Sequence, residues 1–139
     1  MSFLPVYLDS SAVVKLVVPE AETDALMAAL EGWPDRVASA LAATEVHRAL
    51  RRAGASAAVR RRADAVLAGL LLVWVDEPVL RRAASFADPA LRALDAIHLA
   101  TAMSLGDDPD AFVTYDARLA RAARRQRLKI VHPGVTRLA

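Results

Sequence analysis

Seven residues near the N-terminus constrain this chain most: Val6-Tyr7-Leu8-Asp9-Ser10-Ser11-Ala12. A short apolar run ends in a carboxylate, two hydroxyls follow, and a helical pattern begins. Strands buried on both faces of a parallel sheet read as such continuous apolar runs. In open α/β sheets, ligands bind outside the carboxyl ends of the strands. The stretch therefore predicts a buried strand that delivers Asp9 to one edge of a parallel sheet. Asp9, Ser10 or Ser11 would equally serve to cap the helix that follows. Both readings stand on this stretch alone.

The remaining sequence alternates the same two patterns. After the first strand, taken as Leu4 to Leu8, apolar residues recur at helical spacing from Ser11 to Val18, and Pro19 stops them. Glu22 to Gly32 reads as a second helix with Leu26, Met27 and Leu30 as its apolar stripe, and Arg36 to Ser39 as a short strand. Leu41 to Ala53 is helical, with Leu41, Val46, Ala49, Leu50 and Ala53 facing inward. Gly54-Ala55-Ser56 breaks the pattern. Ala57 to Leu70 is a further helix, and Leu71 to Val75 a strand that places Trp74 in the core. Glu77 to Ala87 is helical, and Asp88-Pro89 marks a turn. Leu94 to Leu105 is apolar on nearly every face, which predicts a buried helix. Gly106 to Pro109 is a loop, Ala111 to Thr114 a strand, Ala117 to Arg125 a basic helix, and Lys129 to Val131 a last strand. Strands alternating with helices imply βαβ crossovers and a parallel sheet with helices on both faces.

At 139 residues the chain reads as one domain. A chain of this size buries roughly two thirds of its unfolded surface. It contains no cysteine, which excludes disulfides and thiolate metal sites. The longest apolar stretch, Val66 to Val75, falls far short of the ~20 residues that span a bilayer. No basic start of a signal peptide precedes the first apolar run, which Asp9 and Lys15 interrupt. A soluble cytoplasmic protein without a membrane segment is expected. The formal charge is only +2, so a surface for a polyanion must come from local clustering.

Four acids stand out. Asp9 ends the first strand, and Asp116 follows the strand Ala111 to Thr114 by two residues, so both fall at the same sheet edge. Each would also serve as an N-cap. Glu45 lies beside the inward stripe of its helix, where a charge needs a partner. Arg48, three residues on, could supply one. Asp95 opens the most apolar helix of the chain, and neither Lys nor Arg occurs from Leu94 through Pro109. The helix dipole alone would favour it there. Like charges about 4 Å apart repel by roughly 4 kcal/mol at an effective dielectric near 20. A cluster of such carboxylates needs a multivalent cation or it holds protons. Oxygen ligands without cysteine favour a hard ion, Mg²⁺ or Mn²⁺. Such an ion activates water and stabilises charge on a phosphoryl oxygen, which points to hydrolysis of a phosphodiester.

The stretches Leu8-Asp9-Ser10-Ser11-Ala12-Val13-Val14-Lys15-Leu16, Thr44-Glu45-Val46, Leu94-Asp95-Ala96-Ile97-His98-Leu99-Ala100-Thr101-Ala102 and Thr114-Tyr115-Asp116 together resemble the PIN-domain ribonucleases. Within them the chain looks most like the VapC toxins of bacterial type II toxin–antitoxin systems. The resemblance runs in order through essentially the whole chain, and its specificity lies in the combination of motifs. It implies an α/β fold, a PIN-like three-layer α/β/α domain over residues 1–139 with a central parallel sheet of four to five strands flanked by helices. It implies that Asp9, Glu45, Asp95 and Asp116 meet around Mg²⁺ or Mn²⁺, with Ser11 and Thr114 at hydroxyl positions that support such a site. It further implies RNA as substrate, a VapB-type antitoxin as partner, and a homodimer within a higher toxin–antitoxin assembly.

Other features carry less chemistry. His47, His98 and His132 lack metal-ligand spacing, so no zinc site is expected. His98 shares a helical face with Asp95 and reads as a packed or hydrogen-bonded histidine, with a supporting role behind the acids as the alternative. Lys15 either balances the acids, approaches phosphate, or lies exposed. Arg48, Arg51, Arg52, Arg60, Arg61 and Arg62 form one basic group. Arg118, Arg121, Arg124, Arg125, Arg127 and Lys129 form another. Either could hold an RNA backbone or simply be a solvated face. Aromatic residues are too few for a base-stacking platform. A catalytically silent PIN-like module that binds RNA or protein is the alternative to a nuclease. A phosphatase or receiver-like domain is disfavoured, because Glu45 and Asp95 fall on helices.

Overall fold

A computed structural model describes residues 4–138. Residues 1–3, which belong to the stretch read for a signal peptide, and residue 139 lie outside the described residues. The strands are β1 (Val6–Leu8), β2 (Arg36–Ser39), β3 (Leu71–Val73), β4 (Ala111–Val113) and β5 (Ile130–Val131). The helices are α1 (Ser10–Val17), α2 (Thr23–Leu30), α3 (Leu41–Arg52), α4 (Ala57–Ala68), α5 (Glu77–Ser85), α6 (Ala93–Met103) and α7 (Ala117–Arg125). All strand pairs are parallel, and the order across the sheet is β3-β2-β1-β4-β5. The expected architecture and five of its strands are therefore present among the described residues.

The order reverses at β1. The chain moves from β1 to β2 and β3 on one side, then returns to β4 and β5 on the other. Such a reversal opens a crevice at the carboxyl ends of the two strands that flank it. Here those strands are β1 and β4, paired Val6 with Ala111 through Leu8 with Val113.

Strand alternation divides the core between two faces. Val6 and Leu8 join Val13, Val17, Leu26, Leu30, Val46, Leu50 and Leu67 under the helices α1 to α4. Tyr7, between them, points to the other face with Phe112, Leu99, Leu119 and Ala123, where α6 and α7 pack. The three residues of β1 are fully buried, which explains why the run carries no polar residue before Asp9.

Several expectations need correction. The buried stripe of α3 is Ala42, Val46 and Leu50; Leu41 and Ala49 are half-buried, and Ala53 is exposed beyond the helix end. The cause is that Ala42, not Leu41, starts the 4-residue row facing α1 and α4. β3 stops at Val73, and Trp74 lies outside it with 82% of its surface exposed. β3 is the sheet edge, so an apolar run there needs no cover on all sides. α6 is buried along Ala96, His98, Leu99, Ala100, Thr101 and Ala102, but Leu94 is exposed at its start. Among the described residues no helix is long and apolar enough to cross a membrane.

Two neighbours on α2 separate these environments. Leu26 is fully buried and Met27 is about half exposed. Leu26→Ala is expected to cost about 2–5 kcal/mol, and Met27→Ala no more than about 0.5 kcal/mol. Urea unfolding of the two variants checks the contrast. Equal losses would show that the side-chain assignment of α2 is wrong.

Candidate active site

The carboxyl ends of β1 and β4 are tied by hydroxyls. Asp9 is the N-cap of α1, and its Oδ1 accepts from the Ala12 backbone N–H at 3.0 Å and the Ser11 hydroxyl at 2.6 Å. Its Oδ2 accepts from the Thr114 hydroxyl at 2.6 Å. Thr114 in turn accepts the backbone N–H of Asp116 at 3.0 Å, and Ser11 accepts that of Tyr115 at 2.9 Å. Asp116 caps α7, with Oδ1 accepting from the backbone of Arg118 and Leu119. Asp9 and Asp116 are thus both caps and neighbours in one crevice. The caps that the sequence offers are formed, and they lie at the sheet edge to which the site is assigned.

Asp95 comes from a third helix, in the first turn of α6. It lines an open cavity of about 420 Å³ with Asp116, Ala117, Arg92 and Arg118. No side chain bonds it among the described residues. Burial, and then the charge of Asp116, push its carboxyl above the ordinary aspartate range; Asp9 and Glu45 add to the rise, and His98 opposes it. Burial also raises Asp9, against the hydrogen bonds from Ser11 and Thr114. The N-terminal turns of α1, α6 and α7 all bring an acid to this crevice, where their dipoles favour negative charge.

Glu45 joins through a buried chain. Its Oε1 accepts from the Ser10 hydroxyl at 2.8 Å and from His98 Nε2 at 2.5 Å. The Ser10 oxygen also lies 3.3 Å from His98 Nε2. His98 Nδ1 shares a 2.8 Å hydrogen bond with the Tyr7 hydroxyl. Burial opposes ionisation of both partners, yet their mutual hydrogen bond and attraction prevail. Glu45 is held below, and His98 above, its ordinary range. The suggested Arg48 partner is not used; Arg48 is exposed.

The structure therefore brings Asp95 and Asp116 to one cavity, Asp9 to the same strand ends through Thr114, and Glu45 to Asp95's helix through His98. Among the described residues, no three His, Cys, Asp or Glu side chains form a ready-made metal-binding group. The donors nevertheless suit a hard cation. They are carboxylate oxygens, and Asp95 is raised by burial and then by its acidic neighbours, both of which a divalent ion offsets.

The sequence reading missed Ser10 as a Glu45 partner, Tyr7 as a His98 partner and Arg92 as a wall of the cavity. Ser10 was visible as a hydroxyl beside Asp9; the other two meet the site only through tertiary contacts. Lys15 does not face the acids. It bridges Glu20 and Glu22 and lies over the Tyr115 ring, 4.7 Å from its centre.

Comparison with known proteins identifies the family and the fold. The PIN domain family model matches residues 6–125. Ribonuclease VapC46 of Mycobacterium tuberculosis is 48% identical over 128 residues, covering 92% of this chain and 97% of the relative. The crystal structure of M. tuberculosis VapC20, described as a Sarcin-Ricin loop cleaving toxin, superposes with a TM-score of 0.70 at 17% identity, over 92% of this chain and 99% of that one. A toxin–antitoxin complex from Klebsiella pneumoniae matches with a TM-score of 0.68 at 19% identity, over 92% and 97% of the two chains.

The raised carboxyl of Asp95 has a stability consequence. A proton binds there more tightly in the folded chain than in the unfolded one. Metal-free stability therefore falls as pH climbs above the ordinary carboxylate range. In EDTA at pH 7, Asp95→Asn is expected to melt above the wild type, with the gap closing as pH is lowered toward that range. Calorimetric melting across pH checks this. A variant that melts lower at pH 7 would show that the α6 dipole outweighs the repulsion. With its fold, its crevice of acids and its full-length relatives in view, the chain belongs to the PIN-domain family, among the VapC ribonucleases.

Proposed function

We propose that this chain is a metal-dependent endoribonuclease that hydrolyses RNA phosphodiester bonds, the toxin of a VapBC-type toxin–antitoxin pair. The observation that carries the reading is Asp95: a carboxylate with no bonded partner, beside Asp116, Asp9 and Glu45. A module that only bound polyanionic RNA would be hindered by these charges. Asp9, Asp95 and Asp116 are the candidates to hold Mg²⁺ or Mn²⁺, with Glu45 joining directly or through water. When bound, such an ion activates water and stabilises charge on the phosphoryl oxygen.

The protein's own part is positional. Ser11 and Thr114 hold Asp9 by its two oxygens, and the α7 backbone holds Asp116 by one. Arg92 and Arg118 line the same cavity without an ion pair among the described residues, so their guanidinium groups are free to take flanking phosphates. Arg118→Glu is expected to raise KM for RNA by about tenfold or more, with a smaller change in kcat. An unchanged KM would remove Arg118 from the substrate path.

Incubation of labelled RNA with Mg²⁺, Mn²⁺ or EDTA tests the reading. Cleavage is expected with either cation, none in EDTA, and none with Asp95→Asn. RNA that is bound but never cut would favour the silent module. Expression in a host cytoplasm without an antitoxin should arrest growth, and Asp9→Ala should not.

The toxin–antitoxin complex among the structural neighbours supports a VapB-type partner here. Leu26 and Leu67 are core residues and offer a partner no apolar edge. A groove of about 460 Å³ lined by Leu16, Met27, Leu30, Arg62, Val66 and Leu70 is the better seat for a flanking partner helix. A basic side chain of the partner would then reach the acids. Replacing that Arg or Lys of the partner with Glu should relieve inhibition of cleavage; undiminished inhibition would exclude charge insertion. The homodimer expected from the resemblance has an apolar face available in Leu71, Leu72 and Trp74.

A further inference from the structure

We infer that His98 is a positioning residue for Glu45, fixing its Oε1 through a buried tether to Tyr7 so that Oε2 alone is presented to a cation or its bound water. The inference rests on the nuclease reading above.

A glutamate on a helix surface has three rotatable bonds and turns freely toward water. Glu45 does not, because two donors converge on one of its oxygens: Ser10 Oγ at 2.8 Å and His98 Nε2 at 2.5 Å. No described group bonds Oε2. His98 cannot follow Glu45 outward either. It is 2% exposed, and its other ring nitrogen is held by the Tyr7 hydroxyl at 2.8 Å. Tyr7 belongs to β1, is fully buried, and stacks on Phe112 of β4 with ring centres 5.0 Å apart.

The chain of contacts therefore runs from the centre of the sheet through α6 to α3. It starts at the two strands whose ends carry Asp9 and Asp116. It passes through the helix that carries Asp95, one turn before His98. Glu45 alone of the four acids lies beyond the first turn of its helix; Asp9 and Asp116 are N-caps and Asp95 is in the first turn of α6. It is the one whose placement most needs an external tie, and His98 supplies it. Partners of ligating side chains that act in this way change metal affinity by about 10–100-fold when removed.

The experiment measures Mn²⁺ affinity by titration calorimetry, beside kcat and KM for RNA and melting in EDTA. His98→Leu is expected to weaken Mn²⁺ binding by about tenfold or more and to lower kcat with KM little changed, because His98 does not touch RNA. His98→Gln keeps an N–H donor for Glu45 and should restore most of the affinity. In a Glu45→Ala background, His98→Leu should cause no further loss. Wild-type affinity in a folded His98→Leu protein, equal losses in the Leu and Gln variants, or full additivity with Glu45→Ala would each overturn the inference. If His98→Leu does not fold, Tyr7→Phe and Ser10→Ala each remove one tie and should each weaken Mn²⁺ binding. Unchanged affinity in both overturns it. Wild-type protein that binds no divalent cation fails the nuclease reading itself, and the inference falls with it.

Discussion

Asp9 and Thr114 are 105 positions apart in the chain, and the parallel pairing of β1 with β4 brings their side chains to 2.6 Å. The rest of the crevice depends on that pairing. It ends both strands at the same level, so the loops after them lead into α1 and α7 side by side. It also creates the reversal in strand order that leaves the crevice uncovered by a crossover. The one hydroxyl of Thr114 then serves both loops, donating to Asp9 and accepting from the backbone of Asp116. Ser11 repeats the device between Asp9 and Tyr115.

Gathering acids at this point opposes stability, and the fold contains partial compensation. Helix N-termini favour the negative charges of Asp9, Asp95 and Asp116. Glu45 is balanced by an imidazole that its own charge keeps protonated more readily. Asp95 is left without such a partner, and burial, then the charge of Asp116, raise its carboxyl. Oxygen donors held in place with charge only partly offset are what a hard divalent cation requires. The capping bonds give Asp9 and Asp116 a rigid frame that does not consume every acceptor position, since each carboxylate oxygen carries two lone pairs.

The alternation of strand and helix was legible because apolar periodicity is a local signal. So were the four acids and the hydroxyls Ser11 and Thr114, through their motifs and through the resemblance those motifs carry. The errors share one cause. Read from their own segments alone, Trp74, Ala53 and Leu41 face inward, but whether an apolar residue is covered depends on which neighbour the segment receives. β3 became an edge, and α3 turned Ala42, Val46 and Leu50 toward its neighbours instead.

By itself, then, the sequence determined the order of elements, the buried character of β1, and the placing of an acid directly after β1, shortly after β4, and at the start of α6. These are properties of contiguous residues, where backbone propensity and side-chain period act over a few positions. Only the tertiary structure decided what each acid meets: Asp9 with Thr114, Asp95 with Asp116, and Glu45 with His98 and, behind it, Tyr7. Those contacts span strands and helices far apart in the chain. The strand order brings them together, and a charge or hydrogen bond acts through distance in space, not along the sequence.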